Sequence, residues 1–116
     1  MALKKLVDLV NSTFTNFRLA PIIRVKSVDK LIKGEKDSIE TLPFAEGVNI
    51  EKKSKNFDSY FVIGTVKIGK EGFDYEDCGF RTIDEIRADE FIEFKNIIEY
   101  AKILLEFSKK DTEDDY

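Results

Sequence analysis

An α+β fold, an antiparallel sheet of about four strands with helices packed on one face, is predicted by three observations. A helix-periodic segment stands near each end of the chain, two-residue alternation dominates the middle, and glycines flank the strongest alternating run where a hairpin has to turn. At 116 residues the chain is long enough for one core. The organisation expected is a single domain over residues 1–108 followed by an acidic, flexible tail over residues 109–116.

The first helix is expected over residues 2–17, where Leu3, Leu6, Val7, Val10, Phe14 and Phe17 form one narrow apolar stripe. Pro21 ends any continuation, because proline disfavours helical backbone in the residue before it. From Leu19 to Val28 the chain turns strand-like, with Ile22, Ile23 and Val25 interleaved with Arg24 and Lys26. Asp29 to Asp37 reads as a polar connection with room for a helical turn at Leu31 and Ile32. Ser38 to Phe44 suits a short strand that Pro43 confines to an edge, and Gly47 to Lys53 a third strand with Val48 and Ile50 on one face.

Ser59 to Ile68 is the strongest strand. Strict alternation puts Tyr60, Val62, Val66 and Ile68 on one face around Gly64, and Phe61, Ile63, Thr65 and Lys67 on the other, as in a central strand covered on one side and half-covered on the other. Gly69 to Gly72 then supplies a hairpin turn. Phe73 to Arg81 returns with Phe73 and Tyr75 on one face, Cys78 and Phe80 on the other, and a bulge near Asp77.

The last helix is expected over Thr82 to Ser108. Ile83, Ile86, Phe91, Phe94, Ile97, Ile98, Ala101, Leu104 and Leu105 fall within roughly 140° of one face at 100° per residue. Thr82 and Glu85 have the spacing of a capping box. A second stripe, Ile92, Asn96, Ile103 and Phe107, lies apart from the first, beyond Lys95, Glu99, Lys102 and Glu106. A loop or the N-terminal segment would cover it in a monomer; the alternative is a homodimer or partner interface.

Composition restricts the chemistry. Histidine and tryptophan are absent and Cys78 is the single cysteine. Histidine-dependent nucleophilic sites and Cys/His zinc sites are therefore excluded. Neither an apolar run of about 18 residues nor a leader ahead of Leu3 is evident, so a cytoplasmic location is expected and a membrane partner is not. Net charge hides an asymmetry: residues 1–70 carry 13 Lys/Arg against 8 Asp/Glu, and residues 71–116 carry 6 against 15.

That asymmetry yields two functional expectations for a small binding protein that is not an enzyme and uses no cofactor. In the first, Arg24, Lys26, Lys52, Lys53, Lys55, Phe57, Phe61 and Lys67, with Lys70 nearby, form a basic aromatic sheet surface for single-stranded nucleic acid. Rings would stack on bases while lysines neutralise phosphates. The bland counterpart is that Phe61 is core and the lysines a solvated rim. In the second expectation the chain is a protein-interaction module, an adaptor or a phage-type inhibitor, whose acidic helix and tail engage a basic partner.

The acidic end, Asp114, Asp115 and Tyr116, resembles the tails of bacterial and phage single-strand binding proteins, where the tail recruits partners or competes with nucleic acid. The strand-then-helix order of Gly47 to Ser108 resembles the transcriptional-coactivator type of single-strand binder, which implies pairing of C-terminal helices in a dimer. Neither resemblance rests on a residue motif, and no family membership follows.

Metal chemistry has two weaker footholds. Glu51 and Lys53 form an E-x-K triplet with Asp37 upstream, the pattern in which carboxylates hold Mg²⁺ and a lysine orients the attacking water, but Glu93 and Lys95 repeat the triplet on a helix. Asp74, Glu76, Asp77, Asp84 and Glu85 lack calcium-loop spacing. No metal site is assigned. Cys78, beside acids in an apolar setting, is not expected to be reactive.

Overall fold

The computed structural model describes residues 3–54, 59–69, 72–77 and 86–114, with side chains through Ser108. Its elements are α1 (Leu3–Thr13), β1 (Phe17–Pro21), β2 (Ile23–Val25), α2 (Val28–Ile32), β3 (Ile39–Thr41), β4 (Val48–Lys53), β5 (Tyr60–Gly69), β6 (Gly72–Asp77) and α3 (Phe91–Asp114). The α+β architecture is as the sequence predicts. A four-stranded antiparallel sheet in the order β1-β4-β5-β6 carries α1 and α3 on one face, and a separate two-stranded ribbon pairs β2 with β3.

The core lies between sheet and helices. Phe17 and Leu19 of β1, Val48 and Ile50 of β4, and Ile63 and Val66 of β5 meet Val7 and Val10 of α1 and Ile97, Ala101, Leu104 and Leu105 of α3. Each fully buried aliphatic or aromatic side chain contributes about 1.5–3 kcal/mol. The first stripe of the long helix is thus the sheet-facing one, although Phe91 stands at its exposed margin.

Helix boundaries differ from the periodicity at three places, each for a local reason. First, α1 stops at Thr13, short of residue 17. The Ser12 and Thr13 hydroxyls donate back to the Leu9 carbonyl, each at 2.8 Å. The Glu93 carboxylate then accepts the Thr15 and Asn16 backbone N–H groups at 2.8 and 2.9 Å, and Phe17 joins the sheet opposite Lys52. Tertiary pairing overrides a helical stripe here.

Second, the described part of the C-terminal helix begins with a 3-10 turn at Ala88–Glu90, not at Thr82. Glu90 closes this start by accepting the Arg87 N–H at 2.8 Å. The proposed Thr82/Glu85 box lies outside the described residues. Third, α3 runs on to Asp114 rather than ending at Ser108. Residues 109–114 contain neither glycine nor proline, so nothing in them stops a helix. Backbone helix therefore occupies most of what was expected to be a flexible tail.

A bulge interrupts β5, while the one expected near Asp77 turns on Cys78, outside the described residues. Residues β4 and β5 pair in register from Val48↔Val66 to Ile50↔Gly64, but the next pair is Glu51↔Val62, so Ile63 is an extra residue on β5. This shift inverts the alternation for the first half of the strand. Phe61 and Ile63 join Val66 on the helix-covered face, while Tyr60, Val62, Thr65 and Lys67 share the open face. The β6 register is regular through Asp77, and Cys78 and Phe80 fall outside the described residues. Gly64 serves a packing role: a Cβ there would collide with the Tyr75 ring, whose hydroxyl donates to the Ile63 carbonyl at 3.3 Å and whose edge meets Phe94 at 5.6 Å.

Between β1 and β4 the chain leaves the sheet. Antiparallel pairing continues past Pro21↔Val48 through the Leu42 N–H to the Ile22 carbonyl and then into β2 and β3. The short α2 crosses the tip, its start capped by the Ser27 hydroxyl, which accepts the Lys30 N–H at 3.3 Å. Leu31 and Ile32 do form the helical turn expected of them. Residues 22–42 thus make an arm that buries only Ser38.

Candidate interaction surface

The eight residues expected to bind nucleic acid do not gather on one surface. Lys52 faces inward because Val48, Ile50 and Lys52 alternate on the same side of β4; it is only 2% exposed. Its ammonium lies 3.4 Å from the Glu90 carboxylate, which is also buried. This is a structural ion pair tying β4 to the start of α3, so Lys52 is corrected from a surface cation to a core one. Phe61, its register partner, faces the same side and packs against the core. The aromatic residue on the open face is instead Tyr60.

On the open face Lys53 and Lys67 remain exposed, but they stand at opposite ends, six residues apart in register and so roughly 20 Å. Carboxylates intervene. Arg18 donates to Glu51 at 2.6 Å and stacks its guanidinium 3.9 Å above the Tyr60 ring, Asn49 accepts from Thr65 at 2.6 Å, and Lys67 is opposite Asp74 on β6. Glu76 shares that face. Three described cations are thus matched by three described anions.

Arg24 and Lys26 belong to the arm, away from that face, and Arg24 is ion-paired with Glu40. Lys55, Phe57 and Lys70 lie outside the described residues. The metal footholds are likewise dispersed. Asp37 pairs with Lys30 at 2.6 Å on the arm, Glu51 is held by Arg18, and Glu93 is committed to the turn after α1. Among the described residues no cluster of carboxylates or cysteine has the makings of a metal site. Asp84, Glu85 and Cys78 are outside them.

The second stripe of the long helix is, by contrast, a surface feature. Ile92 is 75% exposed, Asn96 is exposed, Ile103 is 58% exposed and Phe107 is partly buried. No described part of the chain covers this line of residues. Toward its C-terminal end it borders a hollow of about 430 Å³ between α3 and β6, lined by Phe73, Glu99, Lys102, Ile103, Glu106 and Phe107. Its lining is mostly apolar, with Glu99, Glu106 and Lys102 as the charged members. Lys102 is engaged by Glu99 at 3.2 Å.

The hollow adjoins β6, a terminal strand of the sheet, whose exposed Asp74 and Glu76 carry negative charge on the open face, opposite the side on which Phe73 lines the hollow. Periodicity identified Ile103 and Phe107, but Phe73 was hidden from it. Only the packing of β6 alongside α3 joins Phe73 to them. Asn11 also went unnoticed. Its amide donates to the Leu19 carbonyl at 3.0 Å and accepts the Leu19 N–H at 2.7 Å, occupying the edge of β1.

Against protein-family models, curated proteins and solved structures, the chain finds no match. No helix among the described residues is long and apolar enough to cross a membrane.

Proposed function

We propose that this protein is a protein-interaction module, and that its β6–α3 flank receives an extended partner segment in which apolar side chains alternate with basic ones. The observation that carries this reading is the hollow lined by Phe73, Ile103 and Phe107 with Glu106 and the Glu99–Lys102 pair, beside a terminal strand bearing Asp74 and Glu76. A strand laid along β6 would project every second side chain toward one face. Apolar groups then enter the hollow and the intervening cations, directed to the open face, meet Asp74 and Glu76, an arrangement that favours basic partners over acidic ones.

Single-stranded nucleic acid is the competing reading, supported by Tyr60 and Lys53 on the open sheet face with Arg18 stacked on the ring. One experiment scores both. Fluorescence anisotropy is measured with a labelled peptide of alternating valine and lysine, its valine–glutamate counterpart, and an oligothymidylate, at low and moderate salt. The interaction-module reading expects binding of the valine–lysine peptide alone, weakened about tenfold or more by Ile103→Asp. Binding of the oligothymidylate that is lost in Lys53→Glu and indifferent to Ile103→Asp would replace it with the nucleic-acid reading.

A further inference from the structure

The arm exposes an unusual amount of apolar surface for so small an element. Ile23, Val25 and Ile39 share one face of the β2–β3 ribbon, and α2 at its tip leaves Val28, Leu31 and Ile32 exposed, Ile32 at 79%. Isolated exposed aliphatics are ordinary, but six on a 21-residue excursion make a patch of the kind that proteins cover with a partner. Its cations are partly uncommitted: Lys26, Lys33 and Lys36 make no ion pair among the described residues, whereas Arg24 and Lys30 do. Ile23-Arg24-Val25-Lys26 is itself an extended stretch in which apolar and basic residues alternate.

That is the chemistry the β6–α3 flank suits. The two surfaces also stand at the same end of the molecule. Pro21, Val48, Val66 and Tyr75 form one row across the sheet by register; the arm continues beyond Pro21, and Ile68 and Phe73 lie beyond Val66 and Tyr75. Sideways they are offset by two to three strand spacings of about 4.8 Å. A molecule cannot fold its own arm across β4 and β5 while β2 continues the β1–β4 ladder. A second molecule related by a two-fold axis at that end can make the contact, and it makes it twice.

We infer that a second copy of this chain is the occupant: two molecules pair about a two-fold axis, the arm of each lying on the β6 edge and the Phe73–Ile103–Phe107 hollow of the other. The inference rests on the proposed role of that flank and names its partner. Lys26, Lys33 and Lys36 of one copy meet the acidic margin of the next, which carries Glu99 and Glu106 on its helix side and Asp74 and Glu76 on its open side. Because each contact is used twice, the two-fold arrangement doubles the area that one patch alone would bury.

The test is sedimentation velocity on the full chain over a concentration series, with two variants: Ile32→Lys on the arm and Ile103→Asp in the hollow. The wild type is expected to dimerise at micromolar concentration and each variant to shift toward monomer about tenfold or more. Mixing the variants is the decisive arm, because the intact arm of one meets the intact hollow of the other. Partial recovery of dimer supports the reciprocal contact, and no recovery overturns it, as an arm-to-arm or hollow-to-hollow dimer would require. Growth beyond dimer overturns the two-fold arrangement. A wild type that stays monomeric yet still binds the valine–lysine peptide overturns the inference and leaves the flank's role standing; failure of both removes both.

Discussion

At and just before β1 the outward backbone groups of Leu19, Thr15 and Asn16 are taken up by side chains of the two helices, whereas along β6 the sheet's margin is charged and hollowed. Asn11 of α1 meets the N–H and the carbonyl of Leu19, Glu93 of α3 accepts two N–H groups just before the strand, and the buried Lys52–Glu90 pair lies one strand inward. A terminal strand is a template for another chain unless its polar groups are satisfied or its approach is made costly. The β1 side uses satisfaction at Leu19, which leaves that residue no free backbone group to offer. The β6 side uses acidic charge, Asp74 and Glu76, which repels acidic or apolar strands and leaves basic ones a way in. Two methods of guarding an edge thus give the molecule a closed flank and a selective one.

The largest expected effect tests how firmly the closed flank is built. Glu90→Ala leaves the Lys52 ammonium buried without its counter-charge and should lower unfolding free energy by about 3–5 kcal/mol. Replacing the pair together, Lys52→Met with Glu90→Leu, should recover most of that loss, because two apolar groups need no compensation. Urea denaturation of the single and double variants measures both. A single variant as stable as the wild type would mean that Lys52 reaches water and that the flank is looser than its burial indicates.

Opening the closed edge should have a smaller and more informative effect. Asn11→Ala strips the Leu19 N–H and carbonyl of their partner, at a cost of about 1–3 kcal/mol for groups left unsatisfied. It should also turn β1 into a second available edge, seen in light scattering as association beyond that of the wild type at the same concentration. Asn11→Asp keeps only the acceptor for the N–H and should fall between the two. If Asn11→Ala destabilises without new association, satisfaction of the backbone rather than exclusion of strands is what the amide provides.

Much of this contrast was legible in the sequence, but unevenly. The elements β4, β5 and α3 followed from period and turn chemistry, since their apolar sets repeat over enough residues to outweigh local exceptions. Lys52 was misplaced although its position was readable: Val48, Ile50 and Lys52 stand at i, i+2 and i+4, which puts the lysine on the core face whatever its charge. The inversion of Phe61 and Tyr60 was not readable, because a one-residue bulge at Ile63 is set by cross-strand register and leaves no mark in β5 alone. Phe14 and Phe17 extended the stripe of α1 by coincidence of spacing, while Glu93, 77 residues after Asn16, supplied the competing bonds. The hollow needed the same long-range information, for Phe73 and Ile103 are brought together only by the sheet order.

The smallest expected change in stability belongs to the selective flank, and it separates surface design from surface function. Ile103 is more than half exposed, so Ile103→Asp removes little buried apolar area and should shift unfolding free energy by no more than about 0.5 kcal/mol. If this flank is merely tolerated exposure, nothing else should change. If it is a receiving surface, the same substitution places a carboxylate in the mostly apolar lining that Glu99 and Glu106 share. Binding of an alternating apolar–basic segment then falls despite the added negative charge. Pure electrostatic attraction predicts the reverse, a gain in affinity that fades with salt, because one more carboxylate draws the lysines more strongly. The sign of the change therefore decides whether the hollow recognises shape or its carboxylates only collect charge, and a gain would reduce the β6 flank to an acidic patch.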